Sequence, residues 1–520
     1  MKETYFKEIK MEHLKPWFQI ALPVVISINI FFLSFIALIV FAESSLTLEY
    51  QRIVNVSINT ITLGLFTSFL SILFGTFFAV LTTYYDFPLK KIISIALVLP
   101  IAFPLYVYAF IFVGGLEYSG GIATWIRSFD IEIGSPRNIL SGSIIFSLCV
   151  YPYIYLFTKS RLNNISFSIF LASKSLGNSN VKTIFKVILP LVKPAIIAGA
   201  ILTFFEVIAD FGGVTVLQIQ TLTTEIYSTW YGLQDFIGGA RLSIILFVIA
   251  MVVLILEKVS QNQKSLSLNS ADKIIPIKSR YAIFQTILSI VFLLIALVGP
   301  LVQLLAWIDI SNFLSSLRTA YLANSLVLGV ICALIILIVG LLISMGYKLA
   351  ASSSLIYQFS LIGYAVPGTV IAVGLMLVVD SFFGMSITLF GITGLIVCLV
   401  IRFLPIGYRY FSKALDQIPK NNTHVLALHN LKPWPAFKSG YLGFLKKPFV
   451  FGFLFITIEC MKEQPATILL RPSGFETLST QVYNFTTEGQ WELAANPSLV
   501  LVIISTLLAI ILVTESKQNK

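Results

Sequence analysis

Long apolar runs separated by short polar segments recur along the whole chain, and the runs have membrane-crossing length. A helix spans the hydrocarbon core with roughly 20 apolar residues. By that rule the sequence predicts about twelve spans, at 17–41, 57–83, 92–116, 138–158, 191–211, 242–257, 282–306, 324–347, 356–380, 386–408, 448–470 and 497–514. The run at 242–257 is short, and the run at 448–470 ends in polar sequence. The predicted fold class is an all-α integral membrane protein.

The small and polar residues inside these runs come in two sets. Asn59-Thr60, Leu63-Gly64 and Gly75 return at one constant offset as Asn324-Ser325, Leu328-Gly329 and Gly340. Pro104 has a counterpart in Pro367, and the segment from Thr221 to Tyr227 is echoed from Thr477 to Tyr483. The polar, Ser/Lys-rich stretch 259–281 lies between the copies and reads as a cytoplasmic linker. Six spans per copy is an even number, so the copies run parallel, related by a pseudo-two-fold axis along the membrane normal. Such symmetry predicts a substrate path at the interface between halves.

Composition supports the lipid reading. Of 520 residues 57% are hydrophobic and only 11% charged, with a mean hydropathy of +0.91, against about 25% charged in soluble domains. The net charge of +11 is one-sided. With a cytoplasmic N-terminus and alternating crossings, 27 of the 35 Lys and Arg residues fall on the cytoplasmic side, among them Lys90, Lys182, Lys186, Lys278 and Lys447. The positive-inside rule then places both termini in the cytoplasm and assigns the basic excess to topology rather than to nucleic acid. Residues 1–16 are charged and precede a span without a small-residue cleavage site, so the first span reads as a retained anchor. Cys149, Cys332, Cys398 and Cys460 suit neither a disulfide framework nor a zinc site and read as free, buried thiols.

The cytoplasmic stretch 159–190 is the longest of the first half outside a span. It predicts a helix, a left-handed Gly177 and a second helix capped by Ser179 or Asn180. Phe185, Val187 and Ile188 are expected to face the spans, leaving Lys182 and Lys186 in water. This segment resembles the coupling loop of ABC-importer permeases, in which Glu-Ala-Ala is followed after three residues by Gly and later by Ile-x-Leu-Pro. Ala172, Gly177, Val187, Leu189 and Pro190 fit it, with Leu171 in place of the Glu. In the second half His424 takes the Glu position, Asn430 the Gly position and Gly443 the Pro position; Asn is the best non-Gly residue for a left-handed turn. The resemblance implies the type I (MetI-like) importer fold, with two parallel six-helix repeats. It divides the chain into a tail and first span (1–56), a first permease domain (57–257), the linker (258–281), a seventh span with its outer loop (282–319) and a second permease domain (320–514). It also implies that each coupling loop docks on one of two copies of an ATP-binding subunit.

Glu206 and Asp210 lie one turn apart in the fifth span, and Glu459 and Glu463 one turn apart in the eleventh. At 1.5 Å per residue the first pair sits about 24 and 30 Å above Pro190, in the outer part of a bilayer. Ionisable groups there are costly unless they face protein or a watery path. Two readings are open: an acidic vestibule for a hard cation that prefers oxygen ligands, or an outer-end cluster with Lys462 and Arg471 as ion-pair partners. The run from Met461 to Pro472, then Gly474-Phe475 and Thr477-Leu478, together with residues 206–212 and 221–231, resembles ferric-iron permeases. This resemblance implies Fe³⁺ delivered by a periplasmic binding protein across a bacterial inner membrane, with transient Fe³⁺ at the carboxylates and no fixed metal. Thiamine or another small cation on the same machinery, or a secondary transporter, are the alternatives.

No G-x-x-x-x-G-K-[ST] phosphate loop occurs, so ATP and Mg²⁺ are expected on the partner and no cofactor on this chain. His13, His424 and His429 lie outside the spans and no nucleophile–base pair is visible, so the chain is not expected to be an enzyme.

Overall fold

The computed structural model describes residues 15–40, 49–132, 134–261, 277–308, 318–347, 360–384, 391–419 and 432–518. The helices in or beside the predicted spans are α1 (Lys15–Val40), α2 (Tyr50–Tyr84), α3 (Leu105–Leu116), α4 (Ile139–Leu162), α5 (Leu189–Ala209), α6 (Phe236–Gln261), α7 (Ala282–Ala306), α8 (Thr319–Tyr347), α9 (Gly368–Phe383), α10 (Ile392–Asp416), α11 (Leu442–Lys462) and α12 (Trp491–Gln518), while the first residues of the spans expected at 356–380 and 386–408 lie outside the described residues. Among the described residues nine helices are long and apolar enough to cross a membrane, counting Leu105–Arg127 as one. The helix Trp434–Gly440 joined to α11 at 79° makes a tenth, and Gly368–Phe382 and Trp491–Leu507 are shorter apolar helices. The strands described are two residues each, Tyr85–Asp86 paired parallel with Ile277–Lys278.

The run expected as one span at 92–116 is not continuous. It breaks into a helix at Lys90–Ala96, a 3₁₀ turn at Leu99–Ala102 and then α3. Pro100 and Pro104 cause this, because proline offers no N–H to the preceding turn and pushes its predecessor out of helical geometry. The second repeat breaks the same way, with a 3₁₀ turn at Ile362–Tyr364 before α9. Pro104 and Pro367 are the N-caps of α3 and α9, each with ψ 144°.

Glycines in the repeated motifs let backbones approach closely, as small residues do in membrane bundles. A Cβ on Gly75 of α2 would lie 2.9 Å from the Tyr151 carbonyl of α4, and one on Gly340 of α8 would lie 2.7 Å from the Gly407 backbone of α10. Pro152 and Pro405 lie inside α4 and α10 at matching places, at the same sequence offset that relates Glu206 to Glu459.

The described chain falls into two compact units that cross the repeat boundaries. One contains residues 1–47, 229–244 and 318–480; the other contains 48–228, 245–317 and 481–520. Within the first unit α1 packs on α8 and α9, with Phe31 and Phe35 against Gly374. Within the second, α7 lies against α2 and α4. Phe292 meets Phe74, Phe78 and Tyr151, and the Tyr108 hydroxyl donates to the Ala296 carbonyl at 2.9 Å. The four cysteines are buried and free.

Candidate functional site

The inner loop of the first repeat is a helix–Gly–helix unit. The first helix, Phe167–Ser175, is opened by Ser166. Gly177 then adopts φ +82°, and Ser179 caps the next turn by accepting from the Lys182 N–H at 3.2 Å. A buried bond between Ser173 Oγ and Thr183 Oγ1 (2.9 Å) ties the two helices together. From Asn180 the backbone continues into α5 as one 30-residue helix ending at Ala209, about 45 Å long at 1.5 Å per residue.

The buried face differs from the expected one. Ile184 and Ile188 are buried, whereas Phe185 is 65% exposed, and Lys182 and Lys186 are exposed. The cause is a π turn at Ile184–Ile188. Pro190 gives no N–H to the Lys186 carbonyl, so the bonding register widens and the face rotates. Phe185 thus joins Leu171, Leu176 and Val181 as an exposed apolar position near Gly177, and Ala172 is exposed beside them. Leu189 and Pro190 are the first two residues of α5, as Leu442 and Gly443 are of α11. His424 and Asn430 lie outside the described residues.

At the outer ends of α5 and α11 the chain reverses in two closely matched constructions. In the first, the Leu222 N–H donates to Thr60 Oγ1 (2.9 Å) and Asn59 Nδ2 to the Gln220 carbonyl (3.0 Å). In the second, the Leu478 N–H donates to Ser325 Oγ (2.8 Å) and Asn324 Nδ2 to the Glu476 carbonyl (2.9 Å). Thr221 N–H to Thr224 Oγ1 and Thr477 N–H to Thr480 Oγ1 are both 2.9 Å. Thr223 Oγ1 donates to the Asp210 carbonyl and Ser479 Oγ to the Glu463 carbonyl.

The four acidic residues have different surroundings within these constructions. Glu206 is half-buried on the last turn of α5. Asp210 ends that helix and accepts from the Val214 N–H at 3.0 Å through Oδ2. Glu459 is half-buried, with Lys462 Nζ 4.0 Å away. Glu463 is buried: Oε2 lies 3.1 Å from Arg402 Nε, and Oε1 accepts from the Ala466 N–H at 3.3 Å. The ion-pair partner of Glu463 is thus Arg402 of α10, while Arg471 pairs with Glu476. Sequence reasoning missed Arg402, although a signal is there: it is a lone charge in the apolar run 386–408, the kind of residue whose presence in a membrane demands a partner. Among the described residues no three His, Cys, Asp or Glu side chains cluster to hold a metal ion.

Comparison with known proteins adds a family. Residues 71–259 match the family described as binding-protein-dependent transport system inner membrane component. The chain is similar to the "Fe(3+)-transport system permease protein FbpB 2" of Haemophilus influenzae, 26% identical over 475 residues that cover 87% of this chain and 88% of that one. It is also similar to the "Ferric transport system permease protein FbpB" of Actinobacillus pleuropneumoniae, 25% identical over 500 residues, 88% of this chain and 70% of that one. Similarity to the "Molybdenum transport system permease protein ModB" of Escherichia coli, 29% identical, covers 36% of this chain and 84% of that one.

Proposed function

With residues 71–259 a domain of the binding-protein-dependent transport system inner membrane component family, we propose that the whole chain is the membrane-spanning permease of an ATP-driven importer of ferric iron. The observation that carries the cargo is the likeness, over 87% and 88% of the chain, to permeases named for Fe(3+) and ferric transport. Both repeats lie within that coverage, so one chain supplies both halves of the pathway.

The loop geometry supports ATP coupling. The exposed apolar positions around Gly177 suit docking on an ATP-binding subunit, which holds ATP and Mg²⁺. The hydrogen bond between Ser173 and Thr183 makes the loop stiff, and the helix from Asn180 to Ala209 is unbroken. A push at the loop is then delivered along α5 to the turn that carries Glu206. The second repeat has its own loop, around His424 and Asn430, and takes a second copy of the ATPase. Positive-inside charge supports cytoplasmic termini and cytoplasmic loops in a bacterial inner membrane. A binding protein delivers cargo on the opposite face.

Among the four carboxylates, Glu206 and Glu459 are the ones we assign to the cargo's route. They are half-buried and equivalent, each one turn before the carboxylate that caps a backbone N–H at the end of α5 or α11. Carboxylate oxygens suit a hard trivalent cation. The test is ATP hydrolysis by the reconstituted complex with its binding protein, with and without Fe³⁺. Stimulation by the iron-loaded protein is expected. Uptake that survives a hydrolysis-dead ATPase and collapses with an ionophore would sink the reading.

A further inference from the structure

In the second repeat two separate breaks in the helical backbone, before α9 and after α11, converge on one guanidinium of α10. Arg402 lies in α10 one turn before Pro405. Its Nε faces Glu463 at the end of α11 (3.1 Å), and its Nη1 donates to the Val366 carbonyl (3.3 Å), directly before the Pro367 break that opens α9. Glu463 extends the chain of contacts. Its carboxylate accepts from Ala466 N–H at the start of the helix Pro465–Leu470, and its carbonyl accepts from Thr467 Oγ1 (2.7 Å) and Ser479 Oγ (3.2 Å). Both charged residues are buried.

The first repeat places different side chains at the matching positions. Cys149 is the counterpart of Arg402 at the offset that relates Pro152 to Pro405. Its Sγ points at the Phe103 and Pro100 carbonyls (3.5 and 3.6 Å), directly before the Pro104 break. Asp210 is the counterpart of Glu463 at the same offset and caps Val214.

We propose that Arg402 is a positioning residue which, through Glu463 and the Val366 carbonyl, fastens the starts of α9 and of the helix Pro465–Leu470 to α10 as one body. Planar guanidinium donors are suited to this, because one group can serve a carboxylate and a carbonyl at once. A buried pair of this kind is all-or-none: removing one partner leaves the other charged and unpaired. The first repeat, with a thiol and a shorter carboxylate at these positions, shows that the fold does not require the guanidinium there.

The test is amide hydrogen exchange on the purified full-length chain. Arg402→Cys is expected to speed exchange at least tenfold at 362–371 and 463–470 together. Arg402→Cys with Glu463→Gln, which removes the orphaned charge and keeps an acceptor for the Ala466 N–H, is expected to slow exchange at 463–470 again. Arg402→Lys keeps the charge but lacks the fork, so it loosens 362–371 and spares 463–470. Loosening of one segment alone by Arg402→Cys, or a double variant no slower than the single, overturns the proposal. Should Arg402→Cys fail to fold, Arg402→Lys decides, since loosening of both segments or of neither contradicts it. In proteoliposomes with the ATPase, Arg402→Lys is expected to lower uptake per ATP at unchanged basal hydrolysis; unchanged uptake per ATP also overturns it. The uptake measurement rests on the transport reading, whereas the exchange measurement needs no partner, so the two failures are distinguishable.

Discussion

The reversal after α5 and the reversal after α11 share the same backbone bonds but are anchored by different chemistry. In both, an Asn and a hydroxyl on a long helix, α2 or α8, hold the returning chain. The Asn bonds are 3.0 and 2.9 Å and the hydroxyl bonds 2.9 and 2.8 Å. In the first, the terminal carboxylate caps a backbone N–H; in the second, it is buried against Arg402. Duplicated backbone bonding with diverged side-chain anchoring means the hydroxyl framework is the shared requirement, and the charge is a local solution. A backbone cap tolerates partial opening, because a hydrogen bond to a charged group is worth about 1.5–3 kcal/mol and can be lost singly. A buried ion pair does not, because breaking it by removing one partner costs about 3–5 kcal/mol. The first reversal carries its ion pair elsewhere, between Arg52 of α2 and the buried Glu225 (2.9 Å), so the two reversals place their charges at different points.

The sharpest way to break this comparison is at the first residue of α9. A Cβ on Gly368 would overlap the Glu463 carboxylate and lie 3.1 Å from Arg402 Nη1. The first repeat, with Cys149 and Asp210 in place of Arg402 and Glu463, carries Leu105 at the same place. Gly368→Leu is expected to expel Glu463 and destabilise the protein by about 3–5 kcal/mol, read as a large fall in Tm in detergent. Leu105→Gly is expected to cost only about 1 kcal/mol, from lost burial and gained backbone freedom. Equal falls in Tm would show that the ion pair is not what requires glycine.

A symmetric pair of substitutions tests the shared framework. Thr60→Ala and Ser325→Ala each remove the acceptor of a buried N–H, that of Leu222 and of Leu478. Each is expected to cost about 1–3 kcal/mol, and the two costs should agree within about 1 kcal/mol. Denaturant titration of the two variants measures this. A mild effect at one site and a severe one at the other would mean that matching distances conceal unequal roles.

The framework can be read from sequence because it depends on local chemistry. Asn59 and Asn324, Gly75 and Gly340, and the two Thr-rich turns are small or polar residues at fixed offsets in apolar surroundings, where only specific bonds or close approaches keep them. The anchors cannot be read the same way. Arg402 and Glu463 meet only after α10 and α11 are placed, so the local charges Lys462 and Arg471 look like the available partners. The break within 92–116 is hidden for a different reason: hydropathy is blind to prolines, and an apolar run reads as continuous whether or not its hydrogen bonds are. Phe185 is misplaced because a 3.6-residue period cannot anticipate the extra residue of a π turn. Loop 167–190 is legible as a unit because Gly177 and Ser179 signal their conformations directly.

That inner loop sharpens the comparison at the opposite membrane face. Gly177 has φ +82° and open space around its Cα, so a side chain there meets backbone strain alone. Gly177→Val is expected to cost about 1–2 kcal/mol and to weaken co-purification with the ATPase. Gly177→Asn, copying Asn430 of the second repeat, is expected to be nearly neutral, because Asn tolerates left-handed geometry. Equal behaviour of the two variants in a pull-down would remove Gly177 as the turn that shapes the docking surface.

The smallest effect concerns the carboxylates assigned to the cargo's route. Glu206 and Glu459 occupy equivalent positions in the two repeats, one turn before the anchors. Replacing either with Gln keeps shape and hydrogen-bonding capacity while removing one charge, so folding should not change. For a cargo that only passes, each carboxylate contributes transient attraction rather than a site. Uptake is therefore expected to slow about three- to tenfold in the double variant, a change of about 0.7–1.4 kcal/mol. Asp210→Asn should leave uptake near wild type, because its oxygen still accepts from Val214. Radioactive iron uptake into proteoliposomes separates these outcomes. Should Asp210→Asn match or exceed the double variant, the division between anchoring and cargo-facing carboxylates falls, and with it the idea that each repeat keeps one of each.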